Sequence, residues 1–382
     1  MTSSPDVIVI GAGVIGLAVA RELALRGYSV TIVERGSPGR EASWAAAGML
    51  SPLGEAVGSP GMRSLAEASL DRWPAFARAI LDDTGVDVEY RTPGALHVAF
   101  DDQELHGLHA LRARADERAG VSVLDAAAAR DLEPAVARDV KAGLFIARDH
   151  RVNNRRLGQA LWASSVGAGV ECRLGVAVIE VVLEQSKGTR RFSRVRLADS
   201  PDLAGGAVVI AAGAWSATLG GLPSPVPVRP VRGQMLAVSS AHGAGPRLER
   251  VLVGAGCYLV PREDGQILIG ATVEDAGFRP GPTPAGIASL ISAAGRLAPL
   301  LTELPVTETW AGFRPGTPDD LPILGRDPRA ENVYLATGHY RNGILLTPVT
   351  AEVIADCIED REPVLPLEPF STARFDDASS RG

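Results

Sequence analysis

The stretch of this 382-residue chain that most limits what it can fold into runs from Asp6 to Arg35, DVIVIGAGVIGLAVARELALRGYSVTIVER. Val7 to Ile10 is a short, unbroken apolar run rich in β-branched residues, which suits a strand covered on both faces of a parallel sheet. Gly11, Gly13 and Gly16 follow at once. In a strand-turn-helix unit the first glycine permits the tight turn, the second lets a pyrophosphate approach the backbone, and the third lets the helix close on the strand. The spacing of Leu17, Ala20, Leu23 and Ala24 predicts a helix from about Val14 to Arg26. Its first N–H groups, at Val14 and Ile15, and the positive end of its dipole would then point at the phosphates. A second strand over Ser29 to Val33 leads to Glu34 and Arg35, and the Glu34 carboxylate is placed to accept both hydroxyls of an adenosine ribose. An acid there repels a 2′-phosphate, which favours FAD or NAD over NADP. The glycines alone would also fit a glycine-rich turn in an ordinary α/β domain, but that reading leaves Glu34 unexplained.

The length allows two domains or one interleaved pair, and 46% apolar with 22% charged residues is the composition of a soluble globular protein. A net charge of −7 without a long basic run disfavours nucleic acid, while a few local arginines could still hold a small anion. Met1 to Pro5 leads straight into the first strand with no signal-peptide pattern, so the expected location is the cytoplasm, away from membranes. Cys172, Cys257 and Cys357 are far apart and lack metal spacing, and the six histidines form no ligand pair; reduced, mostly buried thiols and no metal are expected.

Further along, WAAAGMLSP at Trp44 to Pro52 follows Ser43, and its small residues permit close backbone approach to a large flat ligand; it would also suit the start of a plain helix. An amphipathic helix is predicted from Ser64 to Thr84, bent or restarted near Pro74, then a strand pair over Tyr90 to Phe100 and a charged helix over Glu104 to Ala119. Asn153 suits the N-cap of a helix over Arg155 to Val166. Val176 to Leu183 and Arg194 to Leu197 read as strands joined around Lys187-Gly188. Ala207 to Ala211 is another buried-strand run, ending at Ala212 and Gly213 as if the first sheet had resumed. After the proline-rich Pro223 to Pro230, strands are predicted at Gly233 to Val238, Cys257 to Pro261, Gln266 to Ala271 and Glu308 to Phe313, with a helix at Ala285 to Ala298. A last strand, Val333 to Ala336, precedes Gly338 and Gly343 and a helix from Ile344 to Ile358. Its N-terminus, around Asn342 to Leu345, would face the same ligand and suit a developing negative charge.

Taken together, the Gly11/Gly13/Gly16/Glu34 unit, ASWAAAGMLSP, VVIAAGAWS at Val208 to Ser216, CYLVPREDGQILIGAT at Cys257 to Thr272, GFRPGTPDDLPILG at Gly312 to Gly325 and GHYRNGILLTP at Gly338 to Pro348 resemble the D-amino-acid oxidase-like FAD amine oxidases. Within them the chain is most similar to the glycine-oxidising branch that serves thiazole synthesis in thiamine biosynthesis. The resemblance runs from end to end in one order. It implies an α/β and α+β fold of the glutathione-reductase-2-like flavoprotein type: a Rossmann-type FAD-binding domain interleaved with a mostly antiparallel β substrate domain. The FAD domain would comprise residues 1–88, 149–224 and 323–370, the substrate domain 89–148 and 225–322, and 371–382 a tail.

By the same resemblance, the backbone of Val178 would meet the adenine, Trp215 would pack near the cofactor, and Ala46, Ala47, Met49 and Leu50 would line the flavin. Gly343, Ile344 and Leu345 would face its pyrimidine ring. Arg314 matches the arginine that holds the substrate carboxylate, Tyr258 its tyrosine partner, and Arg341 a second basic residue at the mouth. An arginine fork and a phenol that stays protonated suit that task. Arg314 could instead pair with Asp319 or Asp320, Tyr258 could be a core tyrosine, and Arg341 a solvated loop residue. Val273 and Gly256 stand where members of that branch carry methionine and histidine, so the pocket is expected to admit more than glycine. No cysteine lies between Thr307 and Leu324, where related sarcosine oxidases attach their flavin, so FAD is expected to be non-covalent.

The implied reaction is oxidative deamination of glycine, sarcosine and small D-amino acids by hydride transfer to flavin N5, with O2 as acceptor, yielding imine or glyoxylate, ammonia and hydrogen peroxide. The family suggests a homotetramer. An amino-acid dehydrogenase using another electron acceptor and a non-catalytic FAD-bearing subunit remain open alternatives.

Overall fold

A computed structural model describes residues 4–55, 60–186, 188–239 and 248–378; Lys187, at the tip of the expected hairpin, lies outside them. Val7–Ile10 occupies the middle of a six-stranded sheet in the order Ile323–Arg326, Val333–Thr337, Ala207–Ile210, Val7–Ile10, Val30–Glu34, Glu171–Leu174. Every neighbouring pair is parallel except the antiparallel edge strand Ile323–Arg326. Both faces of the central strands are covered, which is why their sequences are unbroken apolar runs rather than alternating ones. On one face, helices Val14–Leu25, Pro60–Thr84, Asn154–Gly167 and Thr347–Ile358 pack a core that includes Leu17, Trp73, Leu161 and Ile354. Burial of an aromatic of this size contributes about 5 kcal/mol, and Trp73 also donates its indole N–H to the Leu345 carbonyl at 2.9 Å. On the other face, the antiparallel strands Val178–Ser186, Thr189–Leu197 and Ser200–Ala204 bury Ile8, Ile10, Val208 and Ile210 against Val181, Phe192 and Val195.

The second sheet has eight strands, in the order Val306–Gly316, Arg229–Ser239, Gln266–Gly270, Cys257–Pro261, Val251–Gly254, Ala95–Ala99, Ala142–Ile146, Val121–Asp125. Only the pairing of Val251–Gly254 with Ala95–Ala99 is parallel. Helix Pro284–Leu297 packs on one face of it. The opposite face, carrying Met235, Tyr258 and Trp310, packs on Trp44, Ala45, Ala47 and Met49, so the loops of the first sheet and the face of the second enclose a common space.

Several local expectations change. Tyr90 to Phe100 contains one strand, Ala95–Ala99, rather than a hairpin; Arg91 bridges to Arg151 and Tyr90 stacks on Trp73 at 6.0 Å, so the segment before Gly94 belongs with the helical core. Helix Pro60–Thr84 passes Pro74 without restarting, and the helix expected to reach Ala119 ends at Ala113, leaving Val121–Asp125 to form an edge strand. Helix Thr347–Ile358 starts three residues later than predicted, after tight turns closed by Asn342 N–H to His339 O (2.8 Å) and Leu346 N–H to Asn342 O (2.8 Å). Asn153 does cap its helix, accepting from the Arg156 N–H at 3.2 Å. The three cysteines are free, but only Cys257 is buried. No helix among the described residues is long and apolar enough to cross a membrane.

Candidate active site

A cavity of about 690 Å³ lies between the two sheets and runs from the first strand-turn-helix unit to Tyr258 and Arg314. At the first end, Gly11 has φ +104°, and a Cβ there would stand 2.6 Å from the Ala211 carbonyl oxygen. A Cβ at Gly16 would stand 2.0 Å from the Gly11 carbonyl, so Gly16 works from behind the wall by letting the helix approach the strand. A Cβ at Gly13 would meet only the Ser43 hydroxyl, at 3.2 Å, in the space ahead of the helix N-terminus. That helix has no side-chain cap of its own; Ser43, from the short helix Ala42–Ala45, accepts from the Val14 N–H at 3.0 Å instead.

Glu34 ties the same turn together. One carboxylate oxygen accepts from the Ala12 N–H and the other from the Gly36 N–H, both at 2.8 Å. Each oxygen retains a second lone pair for a hydroxyl. Arg35 lays its guanidinium over the Trp215 ring at 3.6 Å while pairing with Glu41. Val178, Ala212, Gly213 and Trp215 complete this end, and Ile15 lies beside Val14.

The middle of the wall is the segment Ser43 to Met49, and four of its carbonyls are hydrogen-bonded by side chains distant in sequence. Asn154 Nδ2 donates to Ser43 O (2.8 Å) and Trp44 O (3.0 Å), and Trp310 Nε1 to Ala45 O (3.0 Å). Arg262 donates to Ala47 O (2.9 Å), Val152 O (2.7 Å) and Asn154 Oδ1 (2.6 Å). Ala46, Ala47 and Met49 are left facing the cavity. Arg262 is buried and makes no ion pair among the described residues; burial pushes its guanidinium down to about 10. Neither Arg262 nor Asn154 was visible as a site residue in the sequence, since only the fold brings residues 108 positions apart together.

At the other end, Tyr258 and Arg314 project from the second sheet over two glycines. A Cβ at Gly233 would stand 2.3 Å from Arg314 Nη1, and one at Gly270 would stand 2.6 Å from the Tyr258 ring. Arg314 Nη1 donates to the Thr272 carbonyl at 3.0 Å, and among the described residues no carboxylate pairs with it. Asp319, its possible partner from the sequence, pairs with Arg374 at 2.8 Å. Burial pushes the Tyr258 hydroxyl above its ordinary value, with the neighbouring Arg314 cation opposing, so the phenol stays protonated at neutral pH. Arg341 is not a free loop residue: its Nη1 lies 3.8 Å from the carboxylate of Glu55, a cavity residue with no signature in the sequence. His339 also lines the cavity; burial pushes it down to about 3, and its Nε2 meets the Thr350 hydroxyl at 3.1 Å.

A family model described as "DAO: FAD dependent oxidoreductase" matches residues 6–357. The chain belongs to this family of FAD dependent oxidoreductases. It is 41% identical over 381 residues to the "Bifunctional protein ThiO/ThiG" of Trichormus variabilis, an alignment covering 98% of this chain and 56% of that protein. The chain thus spans about half the length of such bifunctional relatives. It is 38% identical to the "Glycine oxidase" of Pseudomonas aeruginosa, covering 97% of this chain and 99% of that one. Among solved structures, the glycine oxidase of Geobacillus kaustophilus superimposes with a TM-score of 0.89 at 32% identity, covering 97% of this chain and 98% of that one.

The cofactor of this FAD dependent oxidoreductase family suits the residues present. The unfilled space at Gly13, bounded by the helix N-terminus and the Ser43 hydroxyl, can take a pyrophosphate, and Glu34 stands at the ribose position. Gly343 and Ile344 reach the wall between Arg341 and the first sheet. Four other expected cofactor residues, Leu50, Gly338, Asn342 and Leu345, are not among those that line the cavity. Leu50 and Leu345 are buried in the helical core, where the Leu345 carbonyl also accepts from Ser69 and Trp73. Asn342 is turned toward the Glu55 carbonyl (3.4 Å), and Gly338 packs on Thr317 and Ile323. In sequence, an apolar residue beside a glycine loop reads the same whether it faces a ligand or the core. Val273, 52% exposed, and Gly256, where a Cβ would meet nothing within 4 Å, lie at the substrate end.

Proposed function

We propose that this chain catalyses the oxidative deamination of glycine and other small amines, among them sarcosine and small D-amino acids, with O2 as the electron acceptor. For glycine the balance is glycine + O2 + H2O → glyoxylate + NH3 + H2O2, and the imine formed first would be the useful product in thiazole synthesis. The observation that carries the reading is the Arg314 guanidinium, which faces the cavity beside the Tyr258 hydroxyl with a carbonyl as its partner and no carboxylate among the described residues. FAD, when bound, supplies the two-electron oxidant that accepts hydride from the substrate α-carbon.

The protein's part is binding, orientation and exclusion of water. The Arg314 fork takes the substrate carboxylate through charge-assisted hydrogen bonds worth about 1.5–3 kcal/mol each. Tyr258, kept protonated by its burial, adds one donor. Fixing the carboxylate fixes the α-carbon, and orientation of this kind is among the largest contributions to such rates. Met49, Met235 and Ile344 give the surrounding wall an apolar lining. No side-chain base is required when the amine enters neutral, because its lone pair drives imine formation as hydride leaves. His339, pushed down to about 3, is too weakly basic to take a proton near neutral pH. The names of the glycine oxidase relatives and of the ThiO/ThiG protein support the substrate and the biosynthetic setting.

The test is an anaerobic titration of the yellow holoprotein with glycine, sarcosine, D-alanine and D-proline, followed by admission of air. Bleaching by glycine, then return of colour with release of peroxide, is the expected result. Bleaching that only an added dye acceptor reverses would indicate a dehydrogenase. A flavin that no amine reduces would overturn the reading.

A further inference from the structure

The charged groups around the substrate end do not cancel. Arg314 and Arg341 contribute two positive charges and Glu55 one negative charge, while the part-buried Tyr258 and the buried His339 are neutral near neutral pH. Tyr258, Arg314, Glu55 and Arg341 all line the same cavity. Glu55 is held in place twice: its carboxylate lies 3.8 Å from Arg341 Nη1, and its backbone carbonyl accepts from Asn342 Nδ2 at 3.4 Å. Residues 341 and 342 thus grip one acidic residue through both its side chain and its main chain. One uncompensated positive charge, on Arg314, matches a substrate with one carboxylate and a neutral amine.

Resting on the proposed function, we infer that Glu55 is a specificity-determining residue: by occupying Arg341, it restricts the site to amines with one carboxylate and excludes N-carboxyalkyl glycines, which carry two. The physical reason is desolvation. A second carboxylate entering this cavity would lose part of its hydration, and among the described residues the cation at the mouth that could compensate it, the partly exposed Arg341, is already paired with Glu55. Bulk does not explain the exclusion, because the side of the pocket formed by Val273 and Gly256 is open: Val273 is half exposed, and no atom lies within 4 Å of a Cβ placed on Gly256. Removing the charge of Glu55 would free Arg341 to receive the second carboxylate.

Two inert ligands that differ by that carboxylate test this on the holoenzyme. Methoxyacetate and diglycolate each carry an ether oxygen in place of the amine, so they are not oxidised, and their binding is read from perturbation of the flavin absorbance. The variants are Glu55→Gln, which preserves the backbone bond to Asn342, and Glu55→Gln combined with Arg341→Leu. The expected result is that Glu55→Gln tightens diglycolate relative to methoxyacetate by about tenfold, the order expected when one charge pair is exchanged for another, and that the double variant loses the gain. A parallel tenfold rise should appear in the efficiency with iminodiacetate relative to glycine. Equal tightening of both ligands would overturn the inference, because Glu55 would then act as a general anion repellent, and so would an unchanged ratio or a gain that survives loss of Arg341. Failure of methoxyacetate to bind the unaltered enzyme is a separate outcome: it would bring down the Arg314 clamp itself, and this inference with it.

Discussion

Gly233 offers a way to move Arg314 without altering it. Gly233 sits in strand Arg229–Ser239 opposite Gly312, beneath the Arg314 guanidinium. A Cβ added there would lie 2.3 Å from Nη1 and 2.6 Å from Cζ. Ordinary contact between such atoms is about 3.5 Å, so in Gly233→Ala the guanidinium must retreat by roughly 1 Å. The obstructed atoms are the far end of a flexible side chain, and extended backbone accepts alanine, so the sheet should survive while the bond from Nη1 to Thr272 O (3.0 Å) is strained or lost. A misplacement of about 1 Å in a positioning group costs on the order of 100-fold in rate, or about 2.7 kcal/mol of barrier. The assay is peroxide release with glycine, alongside flavin absorbance and thermal unfolding to confirm that cofactor and fold are retained. Arg314→Leu, which removes the clamp outright, should lose at least as much, about 100-fold. A folded, FAD-loaded Gly233→Ala protein with wild-type efficiency on glycine would refute the reasoning, because the position of Arg314 would then not govern the rate.

Arg262→Met removes the donors to Ala47 O, Val152 O and Asn154 Oδ1; three buried acceptors left short of a partner, partly offset by relief of a buried charge, should cost about 2–4 kcal/mol in urea unfolding of the holoprotein and weaken FAD binding. Unchanged stability and FAD affinity would show that the clip holds nothing. Val273→Met places a longer side chain at the half-exposed edge of the pocket and should raise the preference for glycine over D-proline; an unaltered ratio of efficiencies would sink that idea. Glu133 is buried, and its burial pushes the carboxyl above the usual range against the opposing bonds from the Glu249 and Arg250 N–H groups. A folded-state value above the unfolded one means that stability is present at low pH and declines as pH rises through the folded value. Glu133→Gln does not titrate, so its thermal midpoint should gain on wild type as pH rises above the ordinary glutamate range; a gap that narrows with rising pH would contradict the assignment.

Residues 6–35 were legible because every constraint on them is local: an apolar run, three glycines at fixed spacing, a helical period, and an acid at the end of the next strand. The same holds for the Asn153 cap and for strands such as Cys257–Pro261 and Gln266–Gly270. Tyr258, Arg314 and Arg341 were found only through the resemblance of their motifs, since an arginine in an exposed-looking turn has no local mark of its task. Where period and turn chemistry were ambiguous, the reading failed. Tyr90 to Phe100 looked like a hairpin because nothing in it announces that Tyr90 will stack on Trp73.

The sequence by itself determined that the chain binds a dinucleotide at its first turn and that its sheets come from separated segments, because short-range sterics and hydrophobic period dictate those features. Only the tertiary structure decided how the charges of the site are partnered. Arg314 is left without a carboxylate among the described residues because Asp319 is taken by Arg374, Arg341 meets Glu55, and Arg262 and Asn154 bind the Ser43, Trp44 and Ala47 carbonyls. These pairings join residues up to 286 positions apart, from Glu55 to Arg341, and electrostatics and hydrogen bonding act over a few ångströms of space regardless of distance along the chain.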